Sequence, residues 1–138
     1  MTTDWVKPLP HPDNVSAPYW SAAHDGRLLV QECPQCAHRQ WYPRALCTRC
    51  GTEPGWLECV GHGTVHTYTV IRQMGMEGFR EEVPYVVAMI ELDEGPRMMG
   101  NVIDIDVADM HIGLPVEAVF VAAADDIGIA QWRPQSRA

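Results

Sequence analysis

The sequence predicts a mainly β protein in three parts: an N-terminal arm with one short helix, a small metal-binding ribbon and a C-terminal five-stranded barrel. Two pairs of closely spaced cysteines near the start of the 138 residues predict the ribbon. After Trp56 the chain is rich in β-branched residues that alternate with polar ones, as strands do. We therefore expect the arm over residues 1–26, the ribbon over residues 27–56 and the barrel over residues 57–138.

The arm is expected to be extended up to residue 15, because three prolines there fix the backbone φ angle and remove amide donors. These prolines are Pro8, Pro10 and Pro12. A short helix is expected over residues 16–25, since Ser16 is suited to cap its first turn and Pro18 to lie within that turn. Gly26 is expected to end this helix.

Four cysteines form two pairs of identical spacing, with ten residues between the pairs. They are Cys33, Cys36, Cys47 and Cys50. Two residues between cysteines let one tight turn aim both thiolates at a common point, and two such turns complete a tetrahedral shell. A closed shell leaves no open position for a substrate, so the pattern predicts a structural zinc ion. Iron in the same four-thiolate cage remains an alternative.

Two other chemical interpretations involve the histidines that follow the cysteines. The spacing of Cys47, Cys50, His62 and His66 nearly matches a two-cysteine, two-histidine finger, but His66 falls in a strand-like segment. Four residues of strand span about 13 Å, too far for two ligands of one ion. Cys59 and His62 are an alternative nucleophile and base, although spacing alone supplies no orienting group or oxyanion site. A buried, inert thiol is the simpler interpretation of Cys59.

The barrel is expected from five strands and their order. The first should place Val65, Thr67, Thr69 and Ile71 on one face. A loop over residues 74–83 follows this strand, and a short helix or loop over residues 105–113 links the third strand to the fourth. This arrangement predicts a Greek-key barrel of the OB type. The strands are expected over residues 63–73, 84–92, 97–103, 115–122 and 129–133.

Charge and hydropathy exclude several classes of partner. The net charge is −8, from ten Lys and Arg against 18 Asp and Glu, which disfavours binding to a phosphate backbone. No apolar run approaches the roughly 18 to 20 residues of a membrane helix, and residues 1–12 do not resemble a secretory signal. We therefore expect a cytoplasmic protein, whose cysteines stay reduced and free to bind metal.

Basic and aromatic residues of the ribbon are the candidates for contacts with a partner or ligand. Arg39, Arg44 and Arg49 lie in a segment without acidic residues, and they are expected to contact the phosphates of coenzyme A, for which arginine is suited, or a partner. Trp41 and Tyr42 lie between these arginines. They are expected either to cover the apolar side of the ribbon or to stack on the bases of a single-stranded nucleic acid.

A second group of candidates lies in the loop between the first two barrel strands. Met74, Met76 and Phe79 occur there, and methionine adapts to irregular apolar surfaces. We expect this trio either to pack inward or to contact a partner or an acyl chain.

Several segments together resemble the zinc-ribbon/OB-fold proteins of the family called domain of unknown function number 35. One departure is Ala37, where these ribbons often have glycine, whereas Gly51 keeps the pattern. The resemblance covers most of the chain. The segments that carry it are residues 28–33, 42–44, 47–51, 61–65, 68–70, 84–88, 91–97 and 112–116.

The resemblance implies a helical arm, a rubredoxin-like zinc ribbon and an OB barrel. It also implies a companion subunit of thiolase-superfamily enzymes, acting with acyltransferases, aldolases or hydratases on acyl-CoA substrates. Catalytic residues of such complexes belong mainly to the partner, so none is expected in this chain, and any acyl-CoA would be shared with the partner. The alternatives are a single-stranded nucleic-acid-binding protein and a stand-alone enzyme acting on acyl-CoA.

Overall fold

The computed structural model describes residues 5–136 and has the mainly β architecture expected from the sequence. One helix precedes a small three-stranded sheet and a closed five-stranded barrel. A single turn of 3-10 helix, Val107–Asp109, lies between the third and fourth barrel strands. No helix in the described part of the chain is long and apolar enough to cross a membrane. The elements are α1 (Ala17–His24), β1 (Leu28–Glu32), β2 (Arg39–Gln40), β3 (Gly55–Cys59), β4 (His62–Ile71), β5 (Tyr85–Leu92), β6 (Arg97–Val102), β7 (Pro115–Ala124) and β8 (Ile127–Pro134).

Helix α1 begins where the sequence predicts, but its first turn is stabilised differently. Ser16 holds the N-cap position and Pro18 lies in the first turn, yet the Ser16 side chain does not cap the helix. Instead, the Ser16 amide donates to Asp13 Oδ1 over 2.7 Å, and the Asp13 amide donates to Ser16 Oγ over 3.2 Å. Gly26, with φ of 79°, turns the chain from the helix into β1.

Helix α1 lies flush on the barrel because glycine occupies the contact point on β8. A Cβ atom at Gly128 would overlap the backbone of Ala23 and His24. Ala23 is completely buried, and Tyr19 and Ala22 are each only 5% exposed. Since α1 also packs against β1, it connects the ribbon to the barrel.

The ribbon contains a three-stranded antiparallel sheet in the order β2-β1-β3. Strand β3 pairs with β1 along its whole length, from Leu28 opposite Cys59 to Glu32 opposite Gly55. The expected boundary between ribbon and barrel at residue 56 therefore falls inside a ribbon strand. The division of the chain at residues 26 and 56 stays a prediction.

The barrel closes in the order β4-β5-β6-β8-β7, with β6 and β8 parallel, and confirms the five-stranded OB arrangement. Its core is apolar, and Trp132 of β8 is its largest fully buried side chain. Gly100 of β6 leaves room for this indole, because a Cβ atom there would lie 2.7 Å from Trp132 Cδ1. The barrel core therefore accommodates the Trp132 side chain because residue 100 is a glycine.

The expected faces of β4 are correct only at its beginning. A bulge between Val65 and Thr67 shifts the pairing with β5. Val65 is buried, but beyond the bulge Tyr68 and Val70 pack against the core, while Thr67 and Thr69 are exposed. The prediction that Thr67 and Thr69 share a face with Val65 is therefore wrong, because one extra residue reverses the alternation.

Candidate metal centre and aromatic pocket

The four cysteines of the ribbon converge on one point. Their Sγ atoms all lie within 4.8 Å of one another. Cys33 Sγ is 3.4 Å from Cys50 Sγ, and Cys36 Sγ is 3.7 Å from Cys47 Sγ. Four sulfurs around a zinc ion, at Zn–S distances of about 2.3 Å, are separated by roughly 3.8 Å. The four thiols therefore fit one tetrahedral ion.

The two turns that carry these cysteines have the same backbone geometry. The Ala37 amide donates to Cys33 O over 2.9 Å, and the Gly51 amide donates to Cys47 O over 3.0 Å. Both turns end in the left-handed region, with φ of 62° at Ala37 and 79° at Gly51. The departure from glycine at position 37 leaves the turn intact, and the alanine there bears the conformational strain.

Backbone and side-chain donors surround the sulfur atoms. The amides of Gln35 and Cys36 each donate to Cys33 Sγ over 3.4 Å. Thr52 Oγ1 lies 3.3 Å from Cys50 Sγ, and hydrogen bonding to Thr52 lowers the pKa of Cys50 to about 6. Donors of this kind stabilise thiolates, the form in which cysteine binds metal.

The pKa of Cys36 shows how the neighbouring thiols affect one another in the absence of a cation. A hydrogen bond from the His38 backbone lowers it, but burial and hydrogen bonds to the other three thiols outweigh that effect and raise it to about 12. Four neighbouring thiolates repel one another, so a cation is needed to hold all four deprotonated. The donor set and its geometry fit structural zinc.

Two buried glutamines position the second cysteine turn, a feature that the sequence interpretation missed. Gln31 of β1 and Gln40 of β2 are only 3% and 6% exposed. Gln31 accepts from the Arg44 amide over 2.8 Å and donates to Arg44 O over 2.9 Å. Gln40 accepts from the Thr48 amide over 2.9 Å and donates to Leu46 O over 3.3 Å. These bonds hold the loop from Arg44 to Thr48 against the ribbon sheet.

Arg39 links the ribbon to the barrel. Its Nε donates to Glu32 Oε2 over 2.7 Å, and its terminal nitrogen donates to the backbone oxygen of Glu94 over 3.1 Å. The Glu94 carboxylate in turn accepts from the Val60 amide over 2.9 Å. The guanidinium of Arg39 therefore bonds within the chain, and its expected contact with coenzyme A or a partner stays a prediction.

Arg44 and Arg49 differ from Arg39, because both are exposed and neither forms an ion pair within residues 5–136. Arg44 also lines a cavity of about 300 Å³ between the arm and the ribbon. Their guanidinium groups are free to bind an anion outside the chain.

The alternative ligands and nucleophiles lie away from the cysteine cluster. Among the described residues, only the four ribbon cysteines group as metal ligands, and His62 and His66 are exposed on β4. Cys59 is 8% exposed, and burial, with the Glu94 charge as the next cause, raises its pKa to about 12. A nucleophilic cysteine requires the opposite shift. The environment of Cys59 therefore favours an inert thiol.

An aromatic pocket of about 410 Å³ lies where the helix, the ribbon and the outer face of the barrel meet. Its floor is formed by outward-facing residues of β5, β6 and β8, including Val87, Met99 and Asn101. None of the described residues that line it is charged. We call this cavity the aromatic pocket. Its aromatic residues are Tyr19, Trp20, Trp41, Tyr42, Phe79 and Tyr85.

Most of these rings contact one another. Tyr19 lies 4.5 Å from Trp41 and 5.0 Å from Trp20 between ring centroids, and Trp41 lies 5.1 Å from Tyr42. These ring contacts join α1 to the ribbon. Such ring contacts stabilise beyond the area that they bury, by about 0.5–1.5 kcal/mol each.

Phe79 also lines the pocket and has contacts of its own. It lies 5.7 Å from Tyr85, and the Lys7 ammonium lies 5.2 Å from its ring centroid. Lys7 also forms a 2.8 Å ion pair with Glu82. The arm therefore packs on the loop between β4 and β5 and fixes Phe79 at the edge of the pocket.

The structure brings together three of the five expected partner-contact residues. Trp41, Tyr42 and Phe79 line the aromatic pocket. Met74 and Met76 lie in the loop before Phe79, are 37% and 50% exposed, and do not line it. The sequence interpretation missed other residues that line the pocket. The two consecutive aromatic residues Tyr19 and Trp20 were a signal that could have indicated a binding surface. The missed aromatic and methionine residues are Tyr19, Trp20, Tyr85 and Met99.

Comparison with known proteins identifies the family. Residues 20–54 match the model described as "ChsH2, rubredoxin-like zinc ribbon domain", and residues 56–121 match "ChsH2, C-terminal OB-fold domain". A DUF35 domain-containing scaffold protein of Methanocaldococcus jannaschii is 36% identical over 101 residues, covering 72% of this chain and 71% of that protein. The chain belongs to the DUF35 family of zinc-ribbon/OB-fold proteins.

The descriptions of two other relatives name enzymes. A probable enoyl-CoA hydratase alpha subunit of Thermomonospora curvata is 32% identical over 94% of this chain, which spans only 40% of that subunit's length. A solved structure described as "Ltp2-ChsH2(DUF35) aldolase" is 32% identical, with a TM-score of 0.82 over 91% of this chain and 98% of that chain. A DUF35 protein from Sulfolobus solfataricus, at 13% identity and a TM-score of 0.62, shares the fold alone.

Proposed function

We propose that the chain is a non-catalytic subunit that binds a thiolase-superfamily enzyme, an acyltransferase, aldolase or related protein, and supports its handling of an acyl-CoA or acyl substrate. The observation that carries this proposal is the similarity to the chain of the Ltp2-ChsH2(DUF35) aldolase, which extends over 98% of that chain. The description of the archaeal relatives as scaffold proteins supports the same role.

Structural zinc is part of the proposal. Cys33, Cys36, Cys47 and Cys50 would hold it, and the bound ion would crosslink the two cysteine turns without an open coordination position. The proposal puts the complex in the cytoplasm, where reducing conditions keep the thiols available for metal.

The ribbon segment over residues 42–49 has the properties of a docking surface. Tyr42 and Leu46 are 46% and 55% exposed although both are large and hydrophobic. Arg44 and Arg49 lie on the same segment without ion pairs in the described part of the chain. Tyrosine and arginine are enriched at protein interfaces, and arginine suits carboxylates or coenzyme A phosphates. We call these four residues the ribbon face. Met74 and Met76 provide a second candidate contact.

Co-purification with a thiolase-superfamily enzyme encoded beside this chain tests the proposal. Leu46→Asp places a charge on the ribbon face, whereas Ile112→Asp makes the same change at a residue that is 68% exposed and outside that face. We expect Leu46→Asp to weaken retention of the partner by about tenfold or more and Ile112→Asp to leave it unchanged. The zinc content of both variants should equal that of the wild type. A chain that retains no such enzyme and changes no partner activity would contradict the proposal.

A further inference from the structure

The aromatic pocket lies on the part of the barrel that OB folds commonly use for ligands. In such folds the face of the second and third strands and the loop after the first strand bind oligonucleotides and oligosaccharides. Here these elements are β5, β6 and the loop that carries Phe79. Unlike an open OB face, this one is walled by α1 and by Trp41 and Tyr42 of the ribbon.

The chemistry of the lining disfavours single-stranded nucleic acid as the ligand. Binding of single-stranded nucleic acid combines stacking aromatics with cations that follow the phosphates. The described lining of the aromatic pocket provides the aromatics without any cation. Its polar side-chain groups are three tyrosine hydroxyls, two indole N–H groups and the amide of Asn101, which already donates to Val86 O over 2.9 Å. This lining is complementary to an uncharged, apolar group.

The side chains that form the walls of the aromatic pocket are already held in place before a ligand binds. Tyr19 is 5% exposed and packs against Trp20 and Trp41, while Phe79 lies between Tyr85 and the Lys7 ammonium. A ligand would therefore meet rings that neighbouring contacts already orient, which lowers the entropic cost of binding. The volume of about 410 Å³ falls within the range of small-molecule sites.

We propose that the aromatic pocket binds the uncharged apolar part of a small molecule, a hydrocarbon chain or fused ring system with at most one or two hydrogen-bonding oxygens. The inference goes beyond the partner-subunit role, because it concerns a ligand site that this chain forms by itself.

Titration of the full-length, zinc-loaded chain with two alcohols of equal carbon number tests the proposal. The probes are 1-decanol, a flexible chain, and decahydro-2-naphthol, a fused ring. Tryptophan fluorescence reports binding, because Trp20 and Trp41 line the aromatic pocket. We expect a saturable change with at least one alcohol, and the tighter-binding probe distinguishes chain from ring. Absence of saturable binding by both alcohols overturns the proposal.

A matched pair of variants assigns the binding to the aromatic pocket. Met99 and Ile112 are both 68% exposed, but only Met99 lines the pocket. Met99→Glu should weaken alcohol binding by about tenfold or more, because the apolar ligand would desolvate the new carboxylate. Ile112→Glu should change it by less than about twofold. Equal affinities in the two variants would overturn the assignment.

The same variants separate this proposal from the partner-subunit role. Loss of partner retention in Met99→Glu, with no alcohol binding by the wild type, would make the aromatic pocket a protein-docking surface and overturn the ligand site alone. Alcohol binding by a chain that retains no enzyme would support the ligand site and contradict the partner role.

Discussion

Gln40 donates its side-chain amide to Gln31 Oε1 over 2.8 Å, and this bond between two buried glutamines joins β1 to β2 beneath the second cysteine turn. The same two side chains bond the backbone of Arg44, Leu46 and Thr48. The position of Cys47 and Cys50 therefore depends on a polar network inside the ribbon. A substitution in this network tests its role without changing any of the four cysteines.

Gln40→Ala should weaken zinc binding. The substitution leaves the Thr48 amide and Leu46 O without their partner and lowers the free energy of unfolding by about 1–3 kcal/mol. Loss of such supporting contacts around a metal site lowers affinity by roughly 10–100-fold. Competition with a chromogenic chelator measures the change. Gln35→Ala is the matched control, because Gln35 is exposed and supplies only its backbone amide to Cys33 Sγ. Equal zinc affinities in the two variants would show that the network does not support the site.

Ala37→Gly should stabilise the zinc-bound ribbon. Ala37 adopts φ of 62°, a left-handed conformation in which glycine avoids the steric cost of a Cβ atom. After allowance for the greater freedom of glycine in the unfolded chain, we expect a gain of roughly 0.5–1 kcal/mol. Gly51→Ala should lose about 1 kcal/mol at the equivalent position of the second turn, although no atom lies within 4 Å of its added methyl group. Thermal unfolding of the zinc-loaded variants measures both effects, and a destabilised Ala37→Gly variant would refute the strain argument.

Gly128→Ala should displace α1 from the barrel. The added methyl group meets the backbone of Ala23 and His24, which no change of side-chain rotamer relieves. We expect the free energy of unfolding to fall by about 1–3 kcal/mol. Gly75→Ala is the control, since nothing lies within 4 Å of its added Cβ atom and its φ is not in the left-handed region. Urea denaturation compares the two, and a Gly128→Ala variant as stable as Gly75→Ala would mean that the helix does not lie flush on β8.

Cys59 should make stability fall at high pH. Burial and the Glu94 carboxylate raise its pKa from the ordinary value of 9.0 to about 12. Between these two values the folded chain keeps a proton that the unfolded chain has lost, so the contribution of Cys59 is complete below pH 9 and disappears as the pH rises towards 12. Urea denaturation of Cys59→Ala and wild type across this interval should give a shallower decline for the variant. Parallel declines would contradict the raised pKa.

Local patterns in the sequence predicted most of the fold. The spacing of the cysteines is set by one tight turn, and the alternation of the barrel strands is a property of neighbouring residues, so both are visible without tertiary information. Strand β3 was not delimited, because Gly55–Cys59 is short and follows a Gly-Pro-rich connection. The bulge after Val65 reversed the faces of β4, since an inserted residue leaves no mark on the alternation itself.

The candidate site was predictable only where its residues are close in sequence. The four candidate metal ligands follow from two short motifs. Gln31 and Gln40 resembled ordinary polar strand residues until the fold buried them together. The aromatic pocket collects side chains from α1, the ribbon, a loop and three barrel strands, a non-local arrangement that no sequence period encodes.

Elemental analysis of the purified chain before and after strong chelation tests the central claim most directly. The account predicts one zinc ion per chain, lost on chelation together with the ordered ribbon, because the four Sγ atoms lie within 4.8 Å of one another, as the ligands of one tetrahedral ion do. A chain without stoichiometric metal, whose fold is the same before and after chelation, would contradict it.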